Sequence, residues 1–408
     1  MPPPTRPRTA EVVPFAFAGP GHPLAAALDP LREAIASDPG LRPSGAPAEV
    51  VRADLRVAAA GAGGWAIERL YWSVQRPDPA APGALRGRLL VVDRRRGRPG
   101  APTVHDFPDD PNLPAAARPG GPLVAGHGGA PVRVLRYIPL GRITFRTAGA
   151  AGQVPVIGKI KAPRSLARAQ ERLRTVRAAA AGASFAVPAP LGIDAAHGVL
   201  FQTLCPGAAL AAVAGGRDDE GTLRRLGAVH REIHGLDVAA PAADGDQLRA
   251  ELRADARWIG LAAPAVADAP ARVLAWLEAN LRRCAQRERR FCHGDYSPSQ
   301  VLCAGEAWSV LDFDDAHHGD PYADVAATLV SLEHEFDAAD DADTRPDAGE
   351  RRGAAYLAGY GADLDDERLL AHRVAAQVGL LARRLRKDRT APDEPANVLA
   401  RLLARTGA

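Results

Sequence analysis

The sequence predicts an α+β fold of two lobes, a small antiparallel β lobe with one inserted helix and then a mainly helical lobe, behind an N-terminal extension. Three observations carry this expectation. Short apolar runs separated by turn residues crowd together from Val132 onward, as strands do. After Gly207 the apolar residues return at helical spacing. Between the helical stretches lies an island of strand-like and loop-like sequence, Phe291 to Asp315. The expected division is 1–130 for an extension or cap subdomain with a β-hairpin, 131–205 for the small lobe, and 206–408 for the helical lobe.

In chain order, residues 1 to about 45 are rich in Pro, Gly and Ala, with one short helix expected over Pro23 to Ser37; the remainder reads as a loose lead-in. Trp65 to Gln75 and Leu85 to Arg95 read as two strands of a hairpin. A Pro- and Gly-rich stretch from 97 to 130 then reads as a joint. Strands are expected at Val132 to Tyr137, Arg142 to Arg146 and Val154 to Ile160, with a helix at about Ser165 to Ala180. Two further strands follow at Ala186 to Ile193 and Val199 to Leu204. Leu223, Leu226, Val229 and Ile233 share one helical face, as do Val273, Leu274, Leu277 and Leu281 on a later helix.

Composition excludes more than it identifies. With 47% hydrophobic and 24% charged residues the balance is that of a globular chain, and no run is apolar enough to span a bilayer. The first residues, MPPPTRPRTAEVVPFAFAG, lack the pattern of a cleaved signal, so a frayed cytoplasmic start is expected. Cys205, Cys284, Cys292 and Cys303 lie far apart with no CxxC pair, which suits a reducing compartment and suggests neither a disulfide framework nor a zinc clip. A net charge of +3 with scattered basic residues gives no argument for nucleic acid or a membrane surface as partner. Lysine, however, is scarce: among 51 basic residues only Lys159, Lys161 and Lys387 are lysines. Where arginine has replaced lysine almost throughout, a remaining lysine marks a place that needs a compact ammonium.

The island carries the chemistry. It reads as a strand at Phe291-Cys292, a loop from His293 to Ser299, a strand at Val301 to Cys303, and a strand from Trp308 to Leu311 ending at Asp312. Loop and strand end should meet. Phosphoryl transfer needs a carboxylate to orient the attacking hydroxyl and accept its proton, and oxygen ligands for a metal on the phosphates. Asp295, Gln300 and Asp312 supply those groups in the order that chemistry uses: an Asp, an amide five residues on, and a second Asp at the end of the next strand.

The segments HGDYSPSQ (293–300), LDFDDA (311–316) and GDPYAD (319–324) resemble the signature of the aminoglycoside phosphotransferase and choline kinase group. The resemblance is close over 293 to 324 and more diffuse over about 132 to 380. It implies a protein-kinase-like fold and an ATP-dependent small-molecule kinase, with Mg2+ as cofactor and a hydroxyl compound such as an aminoglycoside, a choline-like molecule or a sugar as acceptor. By the same resemblance Asp295 is the catalytic base, while Gln300 and Asp312 are the metal ligands; the amide in the family is usually Asn, one methylene shorter. His293 is expected to hydrogen-bond the loop backbone, with Asp320 and Asp324 as braces. The stretch before residue 131 and Leu135-Arg-Tyr-Ile-Pro are reminiscent of maltokinase-like members, which keeps a sugar acceptor as open as an aminoglycoside.

Such a site also needs a strand lysine on the donor phosphates, paired with a helix glutamate. Lys159 and Lys161 lie on the third strand of the small lobe and, two residues apart, face the same side, so alternation alone does not choose between them. Similarity to family members favours Lys159. Glu171, the only acidic residue between Lys161 and Ile193, is the expected partner. Arg142, in the turn Ile138-Pro-Leu-Gly-Arg, is expected over the phosphates, and Gln202 and Leu204 lie where an interlobe linker would hold adenine.

Rival signals are weaker. His230 and His234 have the i, i+4 spacing of a zinc pair but lack the HExxH glutamate. No lysine precedes Ser or Thr, so there is no Walker A loop. The acidic run Glu333 to Glu350 reads as a solvated loop rather than a cation trap. No Asp-Phe-Gly and no Ala-Pro-Glu segment marks a protein kinase. The alternative from another class is a catalytically degenerate pseudokinase that binds nucleotide or a partner. ATP versus GTP and the oligomeric state stay open.

Overall fold

The structure is a computed structural model. It describes residues 14–407 apart from 16, 20, 45, 47, 61–63, 82, 96–100, 129, 149–153, 214–219, 285–288, 336–347, 362–363 and 392. The expected frayed start over 1–13 and the middle of the acidic run, 336–347, lie outside the described residues.

The chain begins with helix α1 (Ala25–Ser37) and a four-stranded antiparallel sheet in the order β1 (Val50–Ala60), β2 (Gly64–Pro77), β3 (Leu85–Asp93), β4 (Thr103–Asp106). The central hairpin is the one the sequence predicts; β1 and β4 are additional. β1 escapes sequence reading because Val50-Val-Arg-Ala-Asp-Leu-Arg-Val-Ala-Ala-Ala lacks the β-branched and aromatic density of a strand, and a buried Asp54 interrupts it. That Asp is paired with Arg56 at 3.0 Å and lies 3.9 Å from Arg69. A short helix α2 (Pro122–Ala125) leads to the second sheet, made of β5 (Val132–Ile138), β6 (Arg142–Thr147), β7 (Val156–Ile160), β8 (Pro190–Asp194) and β9 (Val199–Thr203) in the order β5-β6-β7-β9-β8. Helix α3 (Pro163–Ala179) is inserted between β7 and β8. This is the small lobe the sequence predicts, five strands and one helix.

The second half runs through β10 (Ala208–Ala209), α4 (Leu210–Val213), α5 (Glu220–His234), α6 (Gly245–Ala262) and α7 (Asp268–Cys284). It then enters the island, β11 (Arg290–Cys292), β12 (Val301–Ala304), β13 (Ala307–Val310) and β14 (His317–Gly319), and ends with α8 (Pro321–Glu335), α9 (Ala348–Tyr360), α10 (Asp366–Arg386) and α11 (Glu394–Thr406). Among the described residues no helix is long and apolar enough to cross a membrane.

Strand alternation sets how the layers stack. On the first sheet, Ala53, Leu55, Leu70, Trp72, Val74 and Leu90 share one face and join a core with α1, α6, α7, α10 and α11. The opposite face, with Tyr71, Leu89 and Val91, packs on Tyr137, Ile143, Phe145 and Ile160 of the second sheet. Each large apolar side chain removed from water here contributes about 2 kcal/mol. The first sheet is therefore wedged between the small lobe and the C-terminal helices. The expected loose lead-in is corrected over its described part: Trp72 Nε1 donates to the Leu41 carbonyl (3.0 Å), the Phe15 N–H donates to Asp388 (3.1 Å), and His22 Nε2 bonds the Leu261 carbonyl (2.8 Å). Its Pro and Ala content hides these anchors, because they act through scattered Phe, Leu and His side chains rather than a periodic run.

Candidate active site

The register of the second sheet places one row of residues, Arg136, Thr144, Lys159, Leu200 and Ile193, across β5, β6, β7, β9 and β8 on the same face. The Leu200 and Ile193 end of the row is covered by Leu166 and Ala169 of α3. The other end, where Arg136 and Lys159 stand, faces the island.

In the island, β11 pairs with β14 while β12 and β13 form a hairpin, and the loop from His293 to Gln300 lies beside the end of β13. The Leu311 N–H donates to the Gln300 carbonyl (2.9 Å), and His293 Nε2–H donates to the Leu311 carbonyl (2.8 Å). The Nδ1 of His293 accepts from the Asp295 N–H (3.3 Å), so this imidazole holds both segments in register. Gly294 is required here: at φ +84 it sits in the left-handed region, and a Cβ would lie 2.5 Å from the Asp315 carbonyl oxygen. The HGD loop and the Asp-rich turn can approach each other only through a glycine.

Asp324 at the start of α8 is the anchor. Its carboxylate accepts four hydrogen bonds, from the N–H groups of His293 (2.7 Å) and Gly294 (3.0 Å) and from Nε2 of His230 (3.1 Å) and His234 (3.3 Å). The two imidazoles accept in turn from Tyr356 Oη (2.5 Å) and Tyr360 Oη (2.8 Å). Burial opposes charge on Asp324, but the hydrogen bonds from His230 and His234 overcome it and hold the carboxyl well below its usual range. Burial, reinforced by the neighbouring His234, pushes His230 down to about 4. The trio His230, His234 and Asp324 has the composition of a metal site. Both nitrogens of each ring and both carboxylate oxygens are already engaged, so it is a brace for the loop from His293 to Gln300. Asp320 is tied to Arg368 (2.6 Å) and His372 (3.0 Å) on α10.

The carboxylates of the turn meet the cations of the small lobe. Asp312 is bonded to Lys159 Nζ at 3.1 Å and to Arg142 at 2.6 Å, while Lys161 reaches Asp314, which also lies 3.7 Å from Arg142. Both lysines left open by strand alternation thus face the turn, each on its own carboxylate. Burial opposes the Asp312 charge, and Lys159 and Arg142 outweigh burial, so this carboxyl lies far below its ordinary range. Asp312 is in the left-handed conformation (φ 65°, ψ 50°), which costs a non-glycine residue about 1 kcal/mol and is characteristic of functional sites. Gln300 is buried and its Nε2 donates to Asp295 Oδ2 at 3.3 Å. Burial pushes the Asp295 carboxyl up; His293 opposes this, and the negative neighbours Asp312 and Asp315 add to it.

The structure thus gathers Asp295, Gln300, Asp312, Lys159 and Arg142. Gln202 is buried on β9, and Leu204 lies in the strap that joins β9 to β10 and so links the two lobes. That strap crosses the island tightly: Gly207 (φ +99) lies so close to β12 that a Cβ would be 2.2 Å from the Cys303 carbonyl oxygen.

Glu171 is a correction. It is exposed and paired with Arg174 at 2.7 Å, not with Lys159. The buried stripe of α3 is Leu166, Ala169, Leu173 and Val176, and Glu171 lies two residues, about 200° of helical rotation, from Ala169. Arg172 is the α3 residue that reaches the turn, bonding the Ala316 carbonyl. The partner of Lys159 is Asp312 itself. Sequence reading also missed Asp314, although three carboxylates in LDFDDA opposite two lysines were a usable signal. Asp110 had none: buried, it accepts from the Leu140 N–H (2.7 Å) and Tyr137 Oη (2.9 Å) and fixes the β5–β6 turn without a glycine-rich loop.

The model of the phosphotransferase enzyme family, APH, matches residues 141–372. No curated protein matches the chain. Among solved structures, the chain is similar to a choline/ethanolamine kinase family protein from Mesorhizobium loti, with 21% identity over 71% of this chain and 90% of that one and a TM-score of 0.46. It is also similar to the aminoglycoside phosphotransferase APH(4)-Ia (18% identity, 68% and 94% covered, TM-score 0.48). A third similar structure is a macrolide 2'-phosphotransferase from Brachybacterium faecium (20%, 68% and 93%, TM-score 0.41). Because the family match takes in more than half of the chain, this protein belongs to the phosphotransferase enzyme family.

Proposed function

We propose that the protein transfers the γ-phosphoryl group of ATP to a hydroxyl of a small molecule, with magnesium as cofactor. The observation that carries this reading is the convergence of Lys159 and Arg142 from the small lobe on Asp312 of the island, beside Asp295 and Gln300.

The donor set suits magnesium, which takes hard oxygen ligands. Asp312 is held ionised by its cationic neighbours, and Gln300, with its NH2 end on Asp295, offers a carbonyl oxygen. Asp312 and Gln300 would hold the magnesium, which would supply positive charge to offset that of the phosphates. Lys159 and Arg142 are the cations for the donor phosphates, and the backbone of the Gln202 to Gly207 strap is the edge for adenine. Asp295 orients the acceptor hydroxyl and takes its proton. Its raised pKa strengthens it as a base, and the Gln300 amide on Oδ2 fixes its orientation. The Asp324 brace holds the loop backbone at the N–H groups of His293 and Gly294, just ahead of Asp295, so the base meets the hydroxyl in one geometry.

The test is ADP release from Mg-ATP against a broad panel of hydroxyl compounds, wild type against Asp295→Asn. Turnover that disappears in the variant while Mg-ATP still binds supports the reading. No binding of Mg-ATP, or equal turnover in both proteins, overturns it.

A further inference from the structure

Beside Asp295 lies a group of cations that the proposed chemistry does not use. Arg52 comes from β1, Arg136 from β5, and Arg383, Lys387 and Arg389 from the end of α10 and the residues after it. α10 packs against β1, and Arg136 stands two strands from Lys159 in the same cross-strand row, so three separate elements deliver like charges to one place.

The group is contiguous with the reacting centre. Arg136 interacts electrostatically with Asp295, Asp312, Arg142 and Arg389; Arg383 with Asp295 and Lys387; Arg52 with Arg136 and Arg389. Like charges gathered this way repel, and folding holds them together nonetheless. Among the described residues none of the five side chains has a hydrogen-bond or ion-pair partner, and Nε of Arg52 is buried without an acceptor. Acids that interact with them are already engaged: Asp54 with Arg56 (3.0 Å), Asp312 with Lys159 (3.1 Å) and Arg142 (2.6 Å), and Asp295 with the Gln300 amide (3.3 Å).

Four of the five, all except Arg52, are exposed to solvent. Even so, burial lowers Arg136, Arg389 and Lys387, the last to about 8. Water thus reaches these side chains although protein surrounds them. All five also lie outside residues 141–372, the span of the family match. They belong to the N-terminal sheet, the first strand of the small lobe and the C-terminal end of the chain, so they are this protein's addition to the shared site.

We infer that this cluster is the binding subsite for an anionic group on the acceptor, a phosphate or a carboxylate carried by the same molecule whose hydroxyl is presented to Asp295. The inference rests on the phosphotransferase reading for the direction in which the hydroxyl points. Arginine forks and an ammonium with no internal partner are suited to such oxygens. A cationic acceptor, by contrast, would meet like charge.

The test is calorimetric binding to the full chain saturated with ADP and magnesium, so that the donor subsite is filled. Inorganic phosphate and acetate are the two anion probes, and choline chloride is the cationic control. The expected result is binding of phosphate, acetate or both, with no binding of choline. Affinity for the anion should fall at least about tenfold in Arg383→Ala/Lys387→Ala/Arg389→Ala and be kept in Arg389→Lys, with ADP affinity unchanged. Which probe binds separates a phosphate-bearing from a carboxylate-bearing acceptor. Three results overturn the inference: neither anion binds, the anion binds equally well to the triple variant, or the variant weakens ADP instead. Should ADP fail to bind the wild type, the phosphotransferase reading falls, and the anion arms, run without ADP, still decide this one.

Discussion

Asp324→Asn replaces a carboxylate by its isostere and tests whether the active-site loop is held by charge-assisted hydrogen bonds. The native carboxylate accepts from His293 N–H, Gly294 N–H, His230 Nε2 and His234 Nε2 in a fully buried setting. An amide has one acceptor oxygen. If that oxygen takes the position of Oδ2, it keeps three of the donors, now as neutral bonds weaker by about 1 kcal/mol each. The NH2 end then faces the Gly294 N–H, donor against donor, leaving two buried donors unsatisfied at about 1 kcal/mol each or more. The sum is on the order of 5 kcal/mol, a large share of a typical stability. In a thermal unfolding assay each kcal/mol lowers the midpoint of a large domain by about 2 °C, so a fall of about 10 °C is expected. Asp320→Asn, which alters a partly exposed pair with Arg368 and His372, should cost less than half as much. A midpoint for Asp324→Asn within about 2 °C of wild type, or a larger fall for Asp320→Asn, would refute the brace.

Other outcomes follow from the same geometry. Lys159→Ala removes the ammonium from Asp312 and should lower kcat/KM about a hundredfold or more, whereas Lys161→Ala, which strips only Asp314, should cost about tenfold; equal losses in steady-state kinetics would contradict the assignment. Glu171→Ala should leave kcat/KM within about twofold of wild type, because an exposed ion pair with Arg174 carries little; a larger loss would restore Glu171 to the site. His230 has its pKa pushed down to about 4, against about 6.5 in the unfolded chain. Between those values the unfolded chain binds a proton that the folded one refuses, so stability falls as pH drops through that window by about 1.4 kcal/mol per unit. Thermal midpoints from pH 7 to 5 should show this slope in wild type and a smaller one in His230→Gln, and identical slopes would contradict it. The acid limb of kcat/KM should lie above the usual carboxylate range, since burial raises Asp295; a limb at or below it would argue that Asp295 is not the titrating base.

What the sequence made legible was what periodicity and fixed spacing encode. β5, β6 and β9 were readable to within a residue or so because each is a short apolar run between turn residues, and the meeting of Asp295, Gln300 and Asp312 followed from their order on the island. Helix α3 was readable as a helix, but which of its charged residues faced the turn depended on the phase of its buried stripe. Glu171 is consequently on the solvent side and Arg172 on the inner side. Asp110, Asp54 and the cations around Arg389 were not legible at all. Asp110 is met by Tyr137 Oη and the Leu140 N–H some thirty residues on, Asp54 lies near Arg69 of the neighbouring strand, and the cations are assembled by the packing of α10 on β1; no local pattern records any of these. The brace His230, His234 and Asp324 lay between: the i, i+4 pair was visible, but its acceptor ninety residues onward was not.

The most direct test of the central claim is a single-turnover assay that follows transfer of the γ-phosphoryl from Mg-ATP to a hydroxyl acceptor found in the panel, comparing wild type with Asp295→Asn. The account predicts a loss of about a thousandfold or more in the transfer rate with Mg-ATP affinity unchanged. Transfer at the wild-type rate in the variant would contradict it.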